Sequence, residues 1–94
     1  MMVYVRWLVW DAWNVEHIAR HRVAPEEVEE VCRGETMTSE TYNGRLRLLG
    51  PSFAGRMLTI ILAPQGDDIY YPVTARPASR RERRRYEQEM GGQQ

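Results

Sequence analysis

Arg76 precedes, and Arg80 and Arg81 lie within, a Ser79-Arg80-Arg81-Glu82 segment, and that grouping is the strongest chemical signal in the chain. The segment matches a capping box, in which serine and glutamate satisfy each other's backbone donors where a helix begins. Arg80 and Arg81 then occupy a first turn that already carries partial positive charge from the helix dipole. Cations placed there cost some tenths of a kcal/mol each, roughly, unless an anion is bound beside them. The expectation is therefore an anion site. Arginine suits it, because its planar fork grips a phosphate with two bonds. A solvated helix laced by Arg83–Glu87 and Arg85–Glu89 pairs at i,i+4 explains the later arginines but not Arg76, Arg80 and Arg81.

The strand before this helix adds to the pattern. Strict alternation puts Tyr70, Pro72, Thr74 and Arg76 on one face, with Ile69, Tyr71, Val73 and Ala75 on the other. A neighbouring strand can bring Arg45 and Arg47 to the first face. Arg81 and Arg83 extend the cationic surface. Cationic forks between tyrosine rings suit a single-stranded nucleic acid, with phosphates on the arginines and bases on the rings. The plainer alternative makes Tyr70 and Tyr71 ordinary strand residues, one inside and one outside. His17 and His21 stand at i,i+4, but two ligands do not make a zinc site and Cys32 reads as a small core residue, so no metal is expected. His17 reads as a core-edge residue. His21, at a helix end, is the better acid–base candidate. The chain has no glycine-rich phosphate loop and no hydrolase triad order.

The formal net charge is zero, with thirteen basic and thirteen acidic residues, yet the two signs are segregated. Residues 1–40 hold eight acids and four arginines (−4), and residues 41–94 hold nine arginines and five acids (+4). Every basic residue is arginine; a GC-rich genome accounts for the missing lysines but not for the clustering. A single cysteine excludes a disulfide framework. No apolar run reaches the roughly 18–20 residues of a membrane span, and the N-terminus does not read as a secretion signal. A cytoplasmic location is the expectation.

These groups must be held by few elements. A chain of 94 residues predicts one domain over residues 1–90, with 91–94 a disordered tail. Residues 3–10 are β-branched and aromatic, as a strand requires. Asp11 then caps a helix running to about Arg22, with Trp10, Trp13, Asn14, His17, Ile18 and His21 on one face. Pro25-Glu26-Glu27 opens a second helix with Val28, Val31 and Cys32 buried and Gly34 as its stop. Residues 36–42 are either loop or a short edge strand. Asn43-Gly44 signals a turn. Strands follow at 45–49, 57–63 and 69–76, and a helix runs from Ser79 to about Glu89. Pro72 cannot donate to a ladder, which predicts an edge position or a bulge. The order is β-α-α-β-β-β-α, an α+β domain with an antiparallel sheet packed against helices.

Taken together, the segments resemble the BrnT family of bacterial toxins, whose fold is RelE-like. The likeness is carried by Trp10-Asp11 with Asn14 and Arg20-His21-Arg22-Val23, then Pro25-Glu26-Glu27 with Val28 and Val31. It continues through Leu49-Gly50 with Gly55-Arg56 and Leu58, and ends on Thr74-Ala75-Arg76-Pro77-Ala78 with Glu82-Arg83 and Tyr86. It covers about residues 8–86. It implies the toxin of a type II toxin–antitoxin system, an endoribonuclease needing no metal or cofactor, held inactive by an antitoxin, as a homodimer or a hetero-oligomer with it. In such a reaction the 2′-OH attacks the adjacent phosphorus. Arg76 would stabilise the added charge with Arg80 and Arg56 in support, His21 would take the proton, and Glu82 or Tyr86 would orient or transfer one. Arg20 stands where the family commonly has lysine and Arg22 where it has glycine, and the 64–68 turn is acidic where it often has a cation. These departures favour the alternative, a catalytically inactive RNA- or antitoxin-binding module of the same fold.

Overall fold

The computed structural model describes residues 3–91. Strand β1 (Trp7–Leu8) leads into helices α1 (Ala12–Ala19) and α2 (Pro25–Arg33), followed by β2 (Met37–Glu40), β3 (Leu46–Pro51), β4 (Met57–Gly66), β5 (Ile69–Pro77) and α3 (Arg80–Tyr86). A π-helical turn, Glu87–Gly91, continues α3. The remainder of the expected tail, residues 92–94, lies outside the described residues. The strands form one sheet in the order β1-β5-β4-β3-β2. The undecided segment is thus an edge strand. The sheet is mixed rather than antiparallel, because β1 runs parallel to β5.

The expected first strand over 3–10 shrinks to Trp7–Leu8. Single backbone bonds from Arg6 N–H to the Asp68 carbonyl and from Val9 N–H to the Tyr70 carbonyl extend its hold on β5. The chain must then turn away at Asp11, whose carboxylate accepts from Asn14 N–H at 2.9 Å while the Asn14 side chain accepts from Asp11 N–H at 2.9 Å. Asn14 is fully buried and donates from Nδ2 to the carbonyls of Val9 and Pro72 at 2.9 and 3.2 Å. One side chain so ties α1 to β5, and every buried donor on it is used.

Helix α1 is two-sided rather than one-sided. Asn14 and Ile18 are buried, whereas Trp13, 58% exposed, stacks on His17 at 4.9 Å with 6° between the rings. His21 meets His17 edge-on at 5.9 Å. The two rows are adjacent stripes of one helix, and only the Asn14–Ile18 stripe meets the sheet. The helix also stops at Ala19 rather than Arg22, because Arg22 adopts a left-handed conformation with φ 61°. Val23 N–H then returns to the Ile18 carbonyl.

Leu58, Ile60 and Leu62 of β4 point with Leu48 into the layer of α1 and α2, where Ile18, Val28 and Val31 meet them at full burial. Cys32 packs at the edge of this cluster. Burial, and then nearby Glu29, push its thiol up to about 12, so it stays protonated. The opposite face of the sheet carries Leu49 and Thr59, which are buried, and Arg47, Ile61, Thr74 and Arg76, which are half-buried. No helix among the described residues is long and apolar enough to cross a membrane.

Strand β5 does not keep strict alternation. Ile61 pairs with Thr74 and Leu62 with Pro72, so Val73 is extra and the register shifts between them. Pro72 and Ala75, three residues apart, are both buried. The bulge predicted at Pro72 is present, but the strand is interior, lying between β1 and β4. The missing donor is absorbed by the bulge.

Candidate nucleic-acid interface

The bulge decides which residues share the face with Arg76. Before it Tyr70 turns toward the core cluster, against which it packs half-buried; after it Thr74 and Arg76 turn the other way. Tyr70 therefore does not line the arginine face, which corrects the expected grouping of Tyr70 with Thr74 and Arg76. The bulged residue inverts the phase of everything on its N-terminal side.

On the arginine face, α3 is pinned by Glu82. Its carboxylate accepts from Arg76 through two parallel bonds, Nη1 to Oε1 at 2.8 Å and Nη2 to Oε2 at 2.9 Å. Oε1 also accepts from Thr59 Oγ1 at 2.9 Å and from Ser79 N–H at 2.8 Å. Ser79 Oγ in turn accepts from Glu82 N–H at 3.1 Å, completing the capping box. The bonds from Arg76, partly offset by desolvation and then helped by Ser79 and Thr59, hold the Glu82 carboxyl down to about 2. The same bonds raise Arg76 above its ordinary value. The anion that the first turn of α3 called for is thus supplied from within the chain. Arg80 and Arg81 stay exposed and share no ion pair among the described residues.

Two cavities open on this face beside the pair. One, with a volume of about 40 Å³, is lined by Met37, Ser39, Arg47, Leu49, Glu82 and Arg85. Arg47 is steadied there by Ser39 Oγ, which accepts from its Nε at 3.4 Å. The other, about 270 Å³, is lined by Thr41, Tyr42, Arg45, Ile61, Val73 and Thr74. Since Arg47 pairs with Ile61 and Ile61 with Thr74, the two lie along one surface. Tyr42 is 85% exposed there and supplies the ring that Tyr70 does not. It sits where the backbone tightens ahead of Asn43, whose φ of 61° makes the turn.

The remaining candidates fall elsewhere. Arg56 turns to the helix layer: its Nη1 donates to the Arg22 carbonyl and to Glu27 Oε1 at 3.0 Å. It braces the connection between α1 and α2, on the other side of the sheet from Arg76. His21 is exposed beside that connection, and no hydrogen bond or ring contact joins it to Arg56, Arg76 or α3. Tyr86 gives its hydroxyl proton to the Glu35 carbonyl at 2.9 Å, and burial, then Glu35, raise its pKa. Its visible task is to anchor the end of α3. Arg83 donates to the Ala78 carbonyl at 2.9 Å rather than pairing with Glu87. Neither of the expected i,i+4 ion pairs forms among the described residues. His17, His21 and Cys32 do not converge, and no group of three or more potential metal ligands occurs among the described residues.

Sequence reasoning thus missed Tyr42 and Arg85. Tyr42 carried a usable signal, a ring directly before Asn43-Gly44 and three residues before Arg45. Arg85 carried none, because its spacing to Glu89 invited an ion pair instead.

This arrangement, a five-stranded mixed sheet with two helices on one face and a short arginine-rich helix on the other, defines a BrnT-like α+β domain. One solved structure it matches is that of the Brucella abortus ribonuclease toxin BrnT, with a TM-score of 0.65 and 21% sequence identity over 79% of this chain and 97% of that one. No family model matches the sequence, and no curated protein matches it significantly. The likeness is one of fold.

Proposed function

We propose that this chain is a BrnT-like toxin, a cytoplasmic endoribonuclease that needs no metal and is silenced by a cognate antitoxin. The observation that carries the reading is the fold shared with nearly the whole of a ribonuclease toxin, in a chain whose sheet face beside α3 is lined by arginines. In the reaction the 2′-oxygen forms a bond to the adjacent phosphorus and the bond from phosphorus to the 5′-oxygen breaks. A base accepts the 2′-proton and an acid returns one to the leaving oxygen. Stabilising the extra negative charge on the phosphoryl oxygens is usually the largest contribution. Arg76 suits this role in that Glu82 and the Pro77 carbonyl engage Nη1 and one hydrogen of Nη2, leaving Nε–H and the second Nη2 hydrogen for a phosphate. Glu82, with its carboxyl near 2, is too weak a base to take the proton and serves to orient Arg76. His21, the proton acceptor expected from the sequence, lies beside the α1–α2 connection on the other side of the sheet from Arg76, so it does not serve a phosphate bound there.

A second reading has its own support. Arg76 already spends a bidentate grip on Glu82, and His21 makes no contact with it, which suits a protein that holds RNA or an antitoxin without cutting. Incubating purified protein with labelled RNA in excess EDTA, beside identically purified Arg76→Ala, separates the two. Cleavage by the wild type and its loss by about a hundredfold or more in the variant are expected for the enzyme. RNA retained but uncut points to the binding module, and neither cutting nor retention overturns both. Expression of the wild type should also arrest growth, and Arg76→Ala should relieve the arrest.

A further inference from the structure

We infer that the cavity between Arg47 and Arg85 seats a backbone phosphate of a single-stranded RNA next to the one held at Arg76, with Arg85 the residue that determines grip there. The inference rests on the reading of this face as an RNA surface and names a contact that reading lacked. Arg47 from β3 and Arg85 from the last turn of α3 both line the cavity, together with Met37 and Leu49. Neither has a carboxylate partner among the described residues. Arg47 is only steadied, by Ser39, and Arg85 is exposed with its fork uncommitted.

The one acid in the wall, Glu82, does not repel an incoming anion. Both of its oxygens are occupied by donors from Arg76, Thr59 and Ser79, and its charge is balanced by Arg76. The cavity therefore presents two unbalanced cations. Its volume, about 40 Å³, is room for roughly three waters at ~10–15 Å³ each, comparable to the exposed oxygens of one phosphate. A base has no room inside it, so the strand's rings must lie outward, toward Tyr42 and the larger cavity.

The test is the affinity of the whole protein for a fluorescent single-stranded oligoribonucleotide, titrated across a series of salt concentrations. Arg85→Ala changes an exposed side chain on a surface helix and should fold normally, which circular dichroism checks. We expect about tenfold weaker binding at low salt, the loss of one charge-assisted contact. The slope of log affinity against log salt should fall by about 0.7, the value for one single-strand phosphate. Arg84→Ala, on the same helix but outside the cavity, should alter affinity by less than about twofold. Wild-type affinity and slope in Arg85→Ala, or equal effects of the two substitutions, overturn the seat while leaving the RNA reading intact. Failure of the wild type itself to bind the oligonucleotide overturns the reading and the seat together.

Discussion

The Glu82 carboxylate accepts four hydrogen bonds, two of them from its ion-pair partner Arg76, more than any other acid in the chain shows among the described residues. It fastens α3 to β4 through Thr59 and to β5 through Arg76, at a point where α3 buries no residue of its own. Replacing it with glutamine keeps the shape but removes the charge that strengthens each bond. We expect Glu82→Gln to destabilise the domain by about 1–3 kcal/mol, measured by urea denaturation at pH 7. The same group sets an acid limit. Its carboxyl is lowered from 4.5 to about 2 in the folded chain, so the stability it contributes is complete above pH 4.5 and is lost as pH falls toward 2. Wild type should lose more stability than Glu82→Gln across that window; parallel pH profiles would show that the ion pair is not structural. At this scale the sequence was partly legible. The N-cap at Asp11 and the capping box at Ser79 follow from local spacing alone, and both are present. That Glu82 would take Arg76 as well was not legible, because the pairing depends on which way the strand end faces.

The elements were legible where a local rule set them and illegible where a neighbour did. Proline and two glutamates open α2 as read, and Asn43 makes its turn. Strand β1 was overextended because its composition suits a strand, yet only two residues pair with β5. The end of α1 is instructive. Arg22 takes φ 61° where the resembled family has glycine, and a side chain in that conformation costs roughly 1–2 kcal/mol. The conformation is fixed from both sides, since Val23 N–H closes on Ile18 and Arg56 holds the Arg22 carbonyl. Arg22→Gly should therefore raise stability, by about 1 kcal/mol after the entropy of the freer unfolded chain is subtracted. A lower urea midpoint in the variant would mean that the arginine side chain makes a contact outweighing the strain.

Across the whole molecule, the segregation of charge along the sequence becomes segregation by layer. The acidic first half builds the α1–α2 side, and Arg45, Arg47, Arg76 and Arg85 of the second half line the far face of the sheet, whereas Arg56 crosses over to Glu27. That broad division was readable from counting charges. The membership of the face was not, because one bulged residue at Val73 removed Tyr70 from it and tertiary folding brought in Tyr42 and Arg85. The surface that results is a shallow track with cations at Arg45, Arg47, Arg76 and Arg85 and a ring at Tyr42. A duplex presents its phosphates on a rigid helix and hides its bases, so it can use the cations but not the ring. A flexible single strand can lay successive phosphates along the track and stack a base on Tyr42, an interaction worth about 1–3 kcal/mol by alanine substitution. Single-stranded RNA should therefore bind more tightly than a duplex of equal nucleotide count, and Tyr42→Ala should narrow the gap by weakening the single strand alone. Fluorescence anisotropy with matched single- and double-stranded probes measures both quantities. Equal affinity for the two forms, unchanged in Tyr42→Ala, would mean that the face reads charge without reading bases.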